Sequence, residues 1–514
     1  MRQVRHHPPV RVGMPPIILF FAAATLAAKP ELAAVFGDHM VLQRGMPAPV
    51  WGTADPGAAV SVRFAGQERA TTAATDGTWR VDLAPLTCPP DHAAGEMVVR
   101  SGTETISISD VLIGDVWLCG GQSNMAFKLA RATGGKQAAA SAADPLLRLC
   151  DVAGKRSGPG DPPPRDLARA DWKVAAADFS AVAWYFGIDL RASAGVPVGL
   201  IDTSVGGTSM KSWMSREAMT ADPVLREEVA RVDREFARYP EMLARYKRLL
   251  AAYQQRSTIG TGPRHKPIKP KGPDSSFRLS YLYESVIRPL QPFAIKGVIW
   301  YQGEADAGRH AMFHRQFSAL VGEWRQAWGQ GDFPWLHVQL APYSTGPTGK
   351  YFPHVWEAQA KSLDIPNSAM VVALDRGRHD DIHPPDKAPI GRRLALAARA
   401  LAYGQDVKWR GPFFNSFKIH GEELILHFDT AGSELTSRSP APEHFIIAGA
   451  DRKFIPANAR LATDGKSVVV SHPEIPEPVA ARYGWYSPGG PVGASIFDND
   501  GLPAAPFRTD DWAD

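Results

Sequence analysis

Cysteine is scarce in this chain. Cys88, Cys119 and Cys150 are the 3 cysteines in 514 residues, so at most one intramolecular disulfide is available and no disulfide framework holds the fold. Excess charge is also missing: 57 Lys and Arg against 53 Asp and Glu leave a formal net charge of +4. Arg2, Arg5 and Arg11 carry three of those charges near the start, so the remainder is close to neutral. That balance excludes nucleic acid or an anionic membrane surface as an expected partner. The apolar run Ile17–Leu26 is too short to span a bilayer comfortably. With a basic start and the small residues Ala27-Ala28, residues 1–28 read as a secretory signal, which implies a secreted or periplasmic protein with no stable membrane partner. Metal-ligand clusters are sparse as well. His379 and His383 stand four apart with acids between them, but Pro384 disfavours the helix that would put both on one face. No further Cys or His pair completes a site, so neither metal nor cofactor is expected.

What remains is an ordinary globular composition, 44% hydrophobic and 21% charged, in a chain long enough for two to three domains. From about residue 29 to 110 the apolar pattern has a period of two. Val60, Val62 and Phe64 form one strand and Trp79, Val81 and Leu83 another, with Asp76-Gly77 between them as a hairpin-type turn. From about 111 to 405, apolar strands alternate with helical stripes, the signature of a parallel sheet with crossovers. The stripes are Ala183, Phe186, Gly187, Leu190; Phe313, Phe317, Leu320, Trp324 with Gly329 as stop; and Leu394, Ala397, Ala398, Leu401 closed by Gly404. From 406 to 514 the period returns to two, at Leu424, Leu426, Phe428 and at Val468–Val470 after Asp464-Gly465. The clustered aromatics Tyr483, Trp485 and Tyr486 read as core rather than as a sugar platform. Two loops, 155–165 and 260–273, read as solvated insertions, the second basic and proline-rich. The expected architecture is therefore α/β, with β-rich modules at both ends.

The chemistry concentrates at strand ends. Gly114–Met125 reads G-D-V-W-L-C-G-G-Q-S-N-M: an apolar run stops at two glycines and presents Ser123 on a sharp turn. A serine hydroxyl needs a base, and His383 in R-H-D-D-I-H-P-P-D-K follows the β-like run Ala369–Leu374. Asp380 or Asp381 would orient its imidazole. Cys119 is a rival nucleophile in type, but inside the apolar run it reads as a packed thiol. Donors for a developing oxyanion, each worth about 10²–10³ in rate, would come from two more junctions. One strand ends in Gly206-Gly207; the other, G-V-I-W-Y-Q-G-E, delivers Gln302, Gly303 and Glu304.

These segments resemble the blocks of the SGNH (GDSL-like) hydrolase superfamily, and most closely the sialate O-acetylesterase family of carbohydrate esterases. The matching stretches are G-D-V-W-L-C-G-G-Q-S-N-M, G-G-T-S-M-K-S-W, K-G-V-I-W-Y-Q-G-E and D-I-H-P-P-D-K-A-P-I-G-R-R-L-A-L, with V-F-G-D-H-M-V-L-Q-R and G-L-P-A-A-P-F-R-T-D flanking them. The resemblance implies a signal peptide at 1–28, a β-sandwich-like module at 29–110, an SGNH-type catalytic unit at 111–405 and a β-rich module at 406–514. It implies Ser123 as nucleophile, His383 as base, Gly206 or Gly207 as the block glycine, and Gln302 where the superfamily uses an asparagine donor. The D-x-x-H pattern selects Asp380, while many chains of this type carry an acid where Asp381 stands. One departure is visible: Ala305-Asp306 follow Q-G-E where S-N is expected. The implied substrate is an acetylated carbohydrate, O-acetylated sialic acid first, with acetylated xylan or pectin as the alternative. A glycan-binding protein without turnover is the alternative of another class. Oligomeric state is not legible.

Overall fold

The computed structural model describes residues 30–512, apart from 142–143, 155–165, 175–176, 259–264, 271, 273–274, 276–277, 347 and 486–492. The signal-like segment, the 155–165 loop, half of the second proline-rich loop and Tyr486 therefore lie outside the described residues.

The long strand Glu104–Gly121 is the axis of the molecule. Its second half, including Val116–Cys119, is buried on both faces, which explains why it reads as a continuous apolar run rather than an alternating one. On one side it pairs in parallel with Val198–Asp202, and that strand pairs in parallel with Leu147–Gly154. On the other side it pairs in parallel with Gly297–Tyr301, followed by Trp335–Val338 and Ser368–Val371. Leu167–Lys173 adds an antiparallel edge beyond Leu147–Gly154. The chain thus builds to one side of the central strand first and then to the other. The carboxyl end of Glu104–Gly121 is the point where the winding reverses, and this is where open α/β sheets form their crevice.

The first half of the same strand belongs to a different environment. It pairs antiparallel with Gly95–Ser101, while Val41–Gln43 pairs in parallel with it at Leu112–Gly114. The change of pattern read at residue 110 falls inside one strand, not in a linker. The hairpin expected around Asp76-Gly77 also takes another form. Ala59–Phe64 turns back at Ala65-Gly66 onto Gln67–Thr72, and Thr78–Leu83 pairs with Ala48–Thr53 instead. The reason is local: Ala65 and Gly66 both have positive φ (50° and 74°), the requirement of a tight two-residue turn.

The three helical stripes form the helices Ala181–Ala194, Phe313–Trp328 and Ala388–Tyr403, the last two stopped by left-handed Gly329 and Gly404. Helix Ala388–Tyr403 crosses Ala181–Ala194 at Gly391, where a Cβ would stand 2.5 Å from the Tyr185 Cβ and 2.7 Å from the Phe186 nitrogen. Beyond it, the remainder of the chain folds into further β-sheets, one of Phe413–His420, Glu423–Asp429, Ser467–Ser471 and Asn458–Leu461, another centred on Phe445–Ala448 and Ala480–Tyr483. Tyr483 is core, as its clustering suggested: it is fully buried and its hydroxyl accepts from the Ser495 and Ile496 N–H groups. Among the described residues no helix is long and apolar enough to cross a membrane.

A buried ion pair anchors the segment that carries His383. Arg393, on helix Ala388–Tyr403, grips Asp375 at 2.7 and 2.8 Å and also donates to the Val372 carbonyl. Asp375→Ala strands the Arg393 charge in the interior, so a loss of about 3–5 kcal/mol in unfolding free energy is expected. Urea denaturation measures it, and a change below about 1 kcal/mol would show that water reaches Arg393.

Candidate active site

Ser123 stands just past the central strand because the backbone there leaves no room for side chains. A Cβ on Gly120 would lie 2.8 Å from the Trp300 ring, and one on Gly121 (φ +133°) only 2.2 Å from the Tyr301 carbonyl oxygen. Gln122 N–H donates to that carbonyl, and the Gln122 carbonyl accepts from Met125 and Ala126, which closes the turn. His383 comes from the loop after Ser368–Val371. Its Nε2 lies 2.7 Å from Ser123 Oγ, the geometry of a base and its nucleophile.

The two candidate acids are placed differently. Asp380 is not brought to the imidazole: it is half exposed and pairs with Arg378 at 3.2 Å, the cation two residues upstream capturing its carboxylate. Asp381 turns inward, but its Oδ1 accepts from the His383 backbone N–H at 2.8 Å, so it shapes the loop. Burial is the main cause of a lowered His383 pKa, reinforced by Lys387 and Arg131 and opposed by Asp381.

The glycine pair lies beside the serine. A Cβ on Gly206 would be 3.6 Å from the Ser123 Cβ, and the preceding Val205 N–H is held by the Gly121 carbonyl. Gly207 has φ +73°, which glycine adopts without strain. Among the described residues, no protein group accepts from the Ser123 or Gly206 N–H.

Gln302 reaches the same region but is already engaged. Its buried Nε2 faces Asp306 Oδ2 at 2.5 Å, the Thr208 carbonyl at 3.2 Å and Gln122 Oε1 at 3.3 Å. An amide nitrogen has two hydrogens, so three acceptors leave none for an oxyanion. The departure noted after Q-G-E accounts for this: Asp306, buried and also accepting from Met210 N–H at 2.8 Å, takes the amide. Gln302 ties its strand end to the Gly206–Thr208 loop and to Gln122. Glu304 is buried too, its pKa raised by burial, and its Oε1 accepts from Asn124 Nδ2 at 2.5 Å.

Asn124 and Lys387 were part of the quoted motifs without a role. Asn124 Nδ2 also donates to the Ile382 carbonyl at 3.0 Å, and Lys387 Nζ donates to Asn124 Oδ1 at 2.5 Å. Separations of 180 to 263 residues hide these contacts from any local pattern. Cys119 is fully buried with its thiol pKa pushed up, and it donates to the Trp117 carbonyl. His379 is exposed, and among the described residues no three His, Cys, Asp or Glu side chains converge as metal ligands.

A family model described as carbohydrate esterase, sialic acid-specific acetylesterase, matches residues 273–400. Mouse sialate O-acetylesterase is 30% identical over 93% of this chain and 94% of its own length. The chain belongs to the sialate O-acetylesterase family of carbohydrate esterases. Human sialate O-acetylesterase is 27% identical over 88% of this chain and 87% of its own length. A carbohydrate acetylesterase from Xanthomonas citri superposes with a TM-score of 0.78 at 34% identity, over 94% of this chain and all of the other. The resemblance to the sialate O-acetylesterase family is thereby confirmed, and this member of the family is a carboxylic ester hydrolase.

For an esterase of this family the depressed His383 has a direct consequence. An imidazole accepts a proton only when neutral, and a lowered pKa keeps it neutral to lower pH. The acid limb of kcat/KM is therefore expected below pH 6.5, the ordinary histidine value. A pH–rate profile on an acetate ester checks this, and a limb above that value would contradict the burial of the ring.

Proposed function

We propose that this chain is an exported serine esterase that removes O-acetyl groups from carbohydrate through an acyl-enzyme, in an SGNH-type catalytic unit at 111–405 flanked by β-rich modules at 29–110 and 406–514. Residues 1–28 serve as its export signal in this reading. The observation that carries the chemistry is the 2.7 Å contact between Ser123 Oγ and His383 Nε2 at the winding reversal of the parallel sheet.

His383 takes the hydroxyl proton as Ser123 attacks the acetyl carbonyl. The Ser123 and Gly206 N–H groups, with Gly207 completing the loop, face the oxygen on which negative charge develops. The imidazolium then protonates the departing sugar oxygen, leaving acetyl on Ser123. Water, deprotonated by the same imidazole, releases acetate and restores the serine. With Asp380 held by Arg378, the ring is oriented by its loop, so the working unit is a Ser–His dyad with Asp381 as loop former. Gln302 and Glu304 act as supports of the two turns.

The names of the relatives make O-acetylated sialic acid the first substrate to try. Acetate release should be measured on it and on acetylated xylo-oligosaccharide side by side, for wild type and Ser123→Ala. The variant is expected to lose about 10³-fold or more, and the better substrate identifies the sugar. Turnover that survives Ser123→Ala would overturn the mechanism, and absence of turnover on any acetate ester would favour a glycan-binding role.

A further inference from the structure

The buried cation next to the active site has no part in the steps above. Lys387 is 1% exposed, yet its Nζ reaches Asn124 Oδ1 and lies 5.1 Å above the Phe127 ring centroid and 5.5 Å above that of Tyr301. Asn124 follows the nucleophile directly, and it is the side chain through which three segments of the site meet. Its Nδ2 holds Glu304, from the Gln302 strand end, and the carbonyl of Ile382, the residue before His383.

An asparagine amide can sit either way round, and here its neighbours decide. An ammonium only donates hydrogen bonds, whereas the Glu304 carboxylate and the Ile382 carbonyl accept them. Lys387 therefore forces Oδ1 toward itself and turns both N–H bonds toward the other two segments. Without a donor at that point the orientation loses its bias, and the tether between the Ser123 turn and the His383 loop loosens.

Charge adds a second effect. Lys387 and Arg131 face His383 as cations and Asp381 faces it as an anion. Around Lys387 itself stand Glu304, Asp381 and Asp386, and Glu304 in turn faces Asp306. Burial pulls the ammonium down to about 7, so it carries charge through the acid range in which the imidazole titrates.

We propose that Lys387 is a positioning residue of the esterase centre: through Asn124 it locks the His383 loop to the Ser123 turn, and its charge favours the neutral, proton-accepting form of His383. This rests on the dyad reading above.

Lys387→Met removes donor and charge together, while Lys387→Gln keeps a donor and removes only the charge. Steady-state kinetics on 4-nitrophenyl acetate, with thermal melts alongside, separate the two. Lys387→Met is expected to lower kcat about 10–10²-fold, with KM changed less than about threefold, and Lys387→Gln to recover part of that loss. In both variants the acid limb of kcat/KM moves to higher pH, because a neighbouring cation no longer disfavours the imidazolium. A limb that coincides with wild type in both variants, or a loss confined to KM, overturns the proposal. Should Lys387→Met fail to fold, the limb of Lys387→Gln decides alone. Ser123→Ala in the same assay keeps the two readings apart. If it is active, the dyad itself falls. If it is inactive while the Lys387 limbs are unmoved, only the role of Lys387 falls.

Discussion

Close backbone approach at the end of the Glu104–Gly121 strand governs much of what surrounds it. Gly120 lies against the Trp300 ring and Gly121 against the Tyr301 backbone, so this strand and Gly297–Tyr301 run together to their ends without side chains to part them. Trp300 packs in turn edge-on to Trp213 and Trp324. A rigid aromatic wall thus backs the serine turn at the point where the winding of the sheet reverses. Ser123 follows directly on that close approach, in the turn that the Gln122 carbonyl closes.

His383 arrives by a different route. Its loop is bracketed by Asp375 at one end and by helix Ala388–Tyr403 at the other, and the Arg393–Asp375 pair joins the two. Gly391 lets that helix press on Ala181–Ala194. Within the loop, Asp381 hydrogen-bonds the His383 backbone, and the Pro385 carbonyl accepts from the Lys387 and Thr133 N–H groups. Asn124 then connects loop and turn. A histidine held in this way has its position fixed by backbone contacts, without a carboxylate on its ring among the described residues.

Much of this was legible. The strand runs, the three helical stripes, two of them with their glycine stops, and the strand-end placement of Ser123 and His383 follow from local periodicity, which side-chain burial obeys. Asp380 and Gln302 were misplaced for a common reason. Spacing gives the order of residues along a loop but not the competitor that claims a side chain, and Arg378 and Asp306 claimed these two. The hairpin pairing expected at Asp76-Gly77 failed because a turn motif does not name its partner strands. Ala65-Gly66 supplied the tighter turn.

By itself the sequence determined the α/β alternation, the glycine-terminated strand that exposes a serine, the D-x-x-H-bearing loop and the family to which they belong. These are consequences of short-range sterics and of apolar periodicity, which operate within a few residues. Tertiary structure alone decided which acid remained at the surface, which amide was taken by a buried carboxylate, and that Lys387, Asn124 and Glu304 form one buried network. Such contacts join groups far apart in the chain. Their strength comes from shared exclusion from water, which exists only once the sheet and its loops have assembled.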